Sequence, residues 1–85
     1  TDLADQASRA ASSVLQNTAE GGAEFAPREK ARFYRIARRS AEECAAVLDD
    51  AIDAGILPLD TAASALNTLD EIVAMLVALI RRHSS

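Results

Sequence analysis

The amino-acid sequence predicts an all-α fold, and three observations carry that prediction. Alanine supplies 19 of the 85 residues, and together with leucine, glutamate and arginine it fills the chain with strong helix formers, against only 3 Gly and 2 Pro. Apolar residues recur at spacings of three and four, the period that places them on one face of a helix. Breaks at Gly21-Gly22 and between Gly55 and Pro58 divide the chain into three such stretches. A hydrophobic fraction of 49% over this length is that of one small folded domain, residues 1–85, and not of a disordered chain.

The first helix is expected over residues 2–19, with Leu3, Ala7, Ala10, Ala11, Val14 and Leu15 on its packed face. Gly21 and Gly22 follow, and a glycine just beyond a helix takes the left-handed conformation that caps the last carbonyls, so the chain is expected to turn there. Pro27 suits a first helical turn because its missing N–H has no intrahelical acceptor, which sets the second helix at 27–54. Its expected buried stripe is Phe33, Ile36, Ala37, Ser40, Cys44, Val47, Leu48 and Ala51. Gly55 ends it, and the third helix is expected over 60–82 with Asp60 as N-cap. The short connection makes the two long helices antiparallel neighbours. Leu59, Ala62, Leu66, Leu69, Val73, Leu76 and Ile80 form one seam of the third helix, and Ala65, Ile72, Met75 and Leu79 widen it beyond what one partner covers. The sequence therefore asks for a fourth helix or for further copies of the chain.

The longest uninterrupted apolar run, Ile72 to Ile80, has nine residues, whereas a bilayer-crossing helix needs about 20. No membrane partner is expected, and a start without a basic segment and an apolar stretch suggests a cytoplasmic location. Lone Cys44 has no second cysteine for a disulfide or a zinc site. Asp49, Asp50 and Asp53 repeat the aspartate spacing with which isoprenoid synthases hold magnesium and diphosphate, yet such a site needs a large helical cavity and a second acidic cluster. They read as a solvated helix end, Cys44 as a packed thiol and His83 as part of a terminal tail. No catalytic residue, metal, cofactor or small-molecule substrate is expected, and the chain reads as non-enzymatic.

Basic residues are unevenly placed. Arg28, Lys30, Arg32, Arg35, Arg38 and Arg39, six of the nine, crowd the first half of the second helix, where the positive end of the macrodipole disfavours them. Arg28, Arg32, Arg35 and Arg39 recur at four, three and four, a stripe suited to phosphates along a nucleic-acid backbone, with Tyr34 placed to stack on a base. The other reading pairs Arg38 with Glu42, Arg39 with Glu43, and the rest with carboxylates such as Glu20 or Glu24. A net charge of −4 argues against general coating of nucleic acid, and both readings stay open.

Gln6, Arg9, Ser13 and Val14 leading into Asn17-Thr18-Ala19-Glu20-Gly21, followed by Phe33-Tyr34-Arg35-Ile36-Ala37-Arg38-Arg39-Ser40-Ala41-Glu42-Glu43, form a distinctive pair of elements. With Leu66, Leu69-Asp70-Glu71-Ile72, Met75-Leu76 and Leu79-Ile80, they resemble the bacterial four-helix-bundle proteins first noticed as open reading frames in intervening sequences of 23S ribosomal RNA genes. The resemblance implies an up-and-down bundle whose relatives assemble as ring-like homopentamers, with this chain supplying the last three helices of four. Similar proteins include the accessory subunit of diversity-generating retroelements, whose basic surface engages nucleic acid, so RNA or nucleoprotein is an implied partner. The motif residues Arg9, Asn17, Glu20, Gly21, Ser40 and Glu43 are then structural: Asn17 and Glu20 are expected to fix the bend through Ser40 or an arginine, and Glu43 to pair with Arg9. Relatives commonly carry glycine at the position of Arg39, so arginine there implies a more open helix surface.

Overall fold

The computed structural model describes residues 2–84 and contains three helices: α1 (Asp2–Ala23), α2 (Pro27–Asp53) and α3 (Leu59–His83). No strand occurs among the described residues, so the all-α class holds. α1 and α3 each pack on α2 and do not pack closely on each other. The result is a layer one helix thick, with extents of 44 × 21 × 14 Å and a radius of gyration of 13.9 Å, against about 12 Å for a compact domain of this length.

α1 runs past the two glycines. Neither Gly21 nor Gly22 has a positive φ, and the helix ends only at Ala23. The turn is imposed instead by Pro27, which drives the preceding residue out of the helical region: Ala26 sits at φ −72°, ψ 125°. Gly21 is needed for close approach. A Cβ on it would lie 2.6 Å from Cε1 and 2.8 Å from Cδ1 of Tyr34, whereas one on Gly22 would meet nothing within 4 Å. Gly55, by contrast, behaves as the sequence predicts. At φ 73° it donates to the Ile52 carbonyl while Ile56 donates to that of Ala51, both at 2.9 Å, which is the Schellman closure of α2. α3 begins one residue earlier than expected, with Pro58 as N-cap, and Asp60 accepts the Thr61 N–H from inside the first turn.

Between α1 and α2 the contact is made by small residues: Ala10, Val14 and Gly21 are buried on one side, and Ala37, Ser40, Ala41 and Cys44 on the other. Between α2 and α3, Tyr34, Ala37 and Leu76 form the core, with Ile72, Leu79 and Ile80 packed around it. Several expected core positions fall elsewhere. Ala11 is exposed and Leu15 is 74% exposed, while Phe33, Ile36, Val47 and Leu48 are only half-buried. The reason is the open layer: α1 has one neighbour, and α2, flanked by two, has none over the faces of the layer, so each buries a narrower stripe than a helix inside a closed bundle.

α3 shows the same deficit most strongly. Only Ala62 and Leu76 are buried on it, and Leu59 and Met75 are more than half exposed. Although its uninterrupted apolar run is short, α3 has the length and average composition of a membrane-crossing helix. Every stretch of it that meets that measure carries Asp70 and Glu71 in its middle, and an aspartate at the bilayer centre costs about 2.5 to 3.5 kcal/mol. The total surface is 5555 Å², roughly 700 Å² more than the roughly 4,850 Å² of a compact monomer of this mass.

Candidate nucleic-acid interface

Antiparallel packing decides where the charges meet. Lys30 reaches Gly21, Ser40 faces Ser13, and Cys44 lies by Ala7, so the start of α2 stands beside the end of α1. Arg35 and Tyr34 likewise meet Ser84 and His83, so the end of α3 joins the same pole. That half of the layer gathers eight of the nine basic side chains, including Arg81 and Arg82 of the last turn of α3, against Glu20, Glu24, Glu29 and Glu71. The other half holds Arg9 against nine carboxylates. Halves of about +4 and −8 are thus hidden in a net charge of −4.

Within the basic half the five sequence candidates part company. Arg28, Arg32, Arg35 and Arg39 are all exposed on α2, as the stripe requires. Arg32 is engaged locally: its Nε donates to Glu29 at 2.7 Å and its guanidinium lies 4.4 Å from the centre of the Phe33 ring. Arg38 pairs with Glu42 at 3.6 Å, as the salt-bridge reading expects. Arg39 makes no ion pair with Glu43, and neither Glu20 nor Glu24 holds an arginine, among the described residues. Lys30 leaves the candidate set. Its Nζ donates to the carbonyls of Gly21 at 3.1 Å and Gly22 at 3.2 Å, so it caps the end of α1, where a cation meets the negative end of the dipole.

Tyr34 does not present its ring to a base. It is 6% exposed and is spent on Gly21, Leu76 and His83, whose ring centroid lies 6.1 Å away. His83 accordingly belongs to α3 and is half-buried, not part of a tail. Position on the helix explains the first correction. Tyr34 lies three residues before Ala37 and three after Ala31, on the stripe that faces the neighbouring helices, a spacing that was available in the sequence.

Three arginine-lined hollows follow the stripe. Pro27, Arg28, Ala31, Arg35, His83 and Ser84 line the first, about 580 Å³ in volume. Glu29 enters the second, with Arg28, Arg32 and Arg35, and Glu42 the third, with Arg35, Arg38 and Arg39. Arg35 donates from Nη2 to the Ser84 hydroxyl at 3.1 Å, and Ser84 in turn donates to the Ile80 carbonyl, tying α2 to the end of α3.

The motif residues on α1 form a separate polar seam. Asn17 donates from Nδ2 to the carbonyl and hydroxyl of Ser13, and the Ser13 and Ser40 hydroxyls share a hydrogen bond of 2.7 Å across the helices. Asn17 thus reaches Ser40 only through Ser13, and Glu20 is exposed and takes no part. Arg9 and Glu43 line one groove between α1 and α2 without closing to an ion pair. Asp49, Asp50 and Asp53 are exposed, and no group of three or more possible metal ligands occurs among the described residues. Cys44 is buried beside the Ala7 carbonyl, and desolvation raises its thiol above the ordinary pKa.

The family model described as 23S rRNA-intervening sequence protein matches residues 1–78. No curated protein and no solved structure matches the chain.

Proposed function

The chain belongs to the 23S rRNA-intervening sequence protein family, and on that premise we propose that it is a non-enzymatic, homo-oligomeric scaffold that binds RNA or nucleoprotein through its basic half. The observation that carries the reading is the separation of charge, eight of nine basic side chains at one pole. Repetition around an oligomer turns weak phosphate contacts into avid ones, and a ring of five copies with the fourth bundle helix in place is the assembly we propose. Support for assembly comes from the uncovered apolar side chains, with Leu15 74%, Leu59 65% and Met75 52% exposed. The excess surface also approaches the roughly 800 Å² that each partner buries in a stable protein interface. Asp70 and Glu71 in the middle of α3 favour protein over lipid as its cover, in keeping with a cytoplasmic protein.

The acidic half supports a second reading, a protein-binding adaptor or accessory subunit with no nucleic-acid role, its arginines serving contacts between subunits. Titration into labelled structured RNA, single-stranded RNA and duplex DNA at two salt concentrations tests the first reading, because phosphate-driven affinity falls steeply with salt. Replacing Arg28, Arg32 and Arg35 by glutamine separates the two. Loss of RNA binding with the oligomer intact supports the scaffold for RNA; a weakened oligomer with no RNA binding by the parent protein supports the adaptor.

A further inference from the structure

Of the three arginine-lined hollows, the one at the pole of the layer differs from the others in having no carboxylate in its wall among the described residues. Arg28 and Arg35 stand on either side of Ala31, at spacings of three and four on α2, and the last turn of α3 supplies His83 and Ser84 opposite. Seven residues of helix separate the two arginines by about 10.5 Å along the axis, with Ala31, 1% exposed, as the floor between them. A methyl floor leaves the space open for both guanidiniums to converge above it. Arg35 spends one of its five N–H donors on Ser84, and its exposed guanidinium keeps the rest for a ligand. A volume of about 580 Å³ lies within the roughly 300 to 1,000 Å³ usual for small-ligand clefts.

We propose that this cleft is a site for a terminal phosphate monoester, held between the guanidiniums of Arg28 and Arg35 with His83 and Ser84 at its closed side. The proposal rests on the RNA reading above and deepens it, by separating an end-binding site from the backbone stripe. The choice of a monoester follows from charge and shape. A monoester carries about −1.5 to −2 at neutral pH, whereas each backbone diester carries a single charge, and two guanidiniums without an intervening carboxylate favour the more highly charged group. The last turn of α3 bounds one side of the cleft, which suits a chain end better than a strand passing through. Along the neighbouring hollows, Glu29 and Glu42 weaken the field, leaving only backbone contacts to Arg32 and Arg39.

The test compares a single-stranded RNA oligonucleotide carrying a 5′-phosphate with the same sequence ending in a 5′-hydroxyl, and includes a free nucleoside monophosphate as a third probe. The 5′-phosphate form is expected to bind about tenfold more tightly. Arg28→Gln and Arg35→Gln, checked for retained helicity by circular dichroism, are expected to abolish that ratio, while Arg39→Gln lowers both affinities and leaves the ratio intact. Competition by the monophosphate shows that the phosphate is recognised without the chain; its failure to compete, with the ratio preserved, shows that the site reads the phosphate as an RNA end. Equal affinity for the two oligonucleotides overturns the cleft proposal and leaves RNA binding by the stripe standing. Absence of binding by both, at low salt, overturns the cleft and the RNA reading together.

Discussion

Gly21 offers the most discriminating test of the packing, because Gly22 beside it is its own control. Both glycines lie inside α1 with ordinary helical backbone, so alanine at either should gain about 0.5 kcal/mol through reduced freedom of the unfolded chain. At Gly22 nothing opposes this gain. Gly22→Ala is therefore expected to raise the melting temperature by roughly 2 to 4 °C, using about 4 to 8 °C per kcal/mol for a domain of this size. At Gly21 the added Cβ would meet three ring atoms of Tyr34 at 2.6 to 3.0 Å. The ring is 6% exposed and packed on Leu76 and Ala37, so it has little room to withdraw. Overpacking of this kind costs about 1 to 3 kcal/mol, which leaves Gly21→Ala less stable by about 0.5 to 2.5 kcal/mol net. Its melting temperature should fall by roughly 2 to 20 °C. Thermal unfolding followed by circular dichroism, at one protein concentration for all variants because assembly shifts the midpoint, measures both. A Gly21→Ala variant that melts at or above the parent would mean that the Tyr34 ring yields to the added methyl without cost. Combining it with Tyr34→Leu should shrink the penalty of Gly21→Ala, since the clashing ring is then gone.

Four further outcomes follow from the same geometry. Lys30→Met should cost about 0.5 to 1 kcal/mol and speed amide exchange in the last turn of α1, with RNA affinity changed far less than in Arg28→Gln, because the Lys30 charge is held at the carbonyls of Gly21 and Gly22. A double-mutant cycle of Ser13→Ala and Ser40→Ala in denaturant unfolding should yield a coupling of about 0.5 to 1.5 kcal/mol for their shared hydrogen bond; additive losses would mean that the hydroxyls do not bond. Leu76→Ala, at a position with no exposure, should lose about 2 to 5 kcal/mol in the same assay. Burial raises the Cys44 thiol, so the folded state keeps a proton that the unfolded chain releases, and stability should decline as the pH rises past about 8.5. Comparing pH profiles of the parent and Cys44→Ala isolates that decline.

Much of the fold is written locally. Alanine content, the apolar period and the pair Gly55 and Pro58 specify helices and the closure of α2, because propensity and capping depend on neighbours within one turn. The arginine stripe was equally legible, since a helix fixes which side chains share a face. The family resemblance read from Asn17 to Gly21 and from Phe33 to Glu43 also stands, with the family match extending over residues 1–78.

What the sequence could not settle depends on distance across helices. Gly21 reads as a cap until the Tyr34 ring is seen against it, and Lys30 reads as a phosphate ligand until its ammonium is seen on the end of α1. The stripe that Tyr34 shares with Ala31 and Ala37 is legible in the sequence, but the groups it meets there, Gly21, Leu76 and His83, are not. Arg81 and Arg82, far along the chain from Arg28, join it at one pole only because α3 runs antiparallel to α2. Propensity and periodicity specify the helices and the charge each one carries; packing sets which ends lie together, and hence that a chain of net charge −4 has a basic pole, because electrostatic fields add through space and not along the chain.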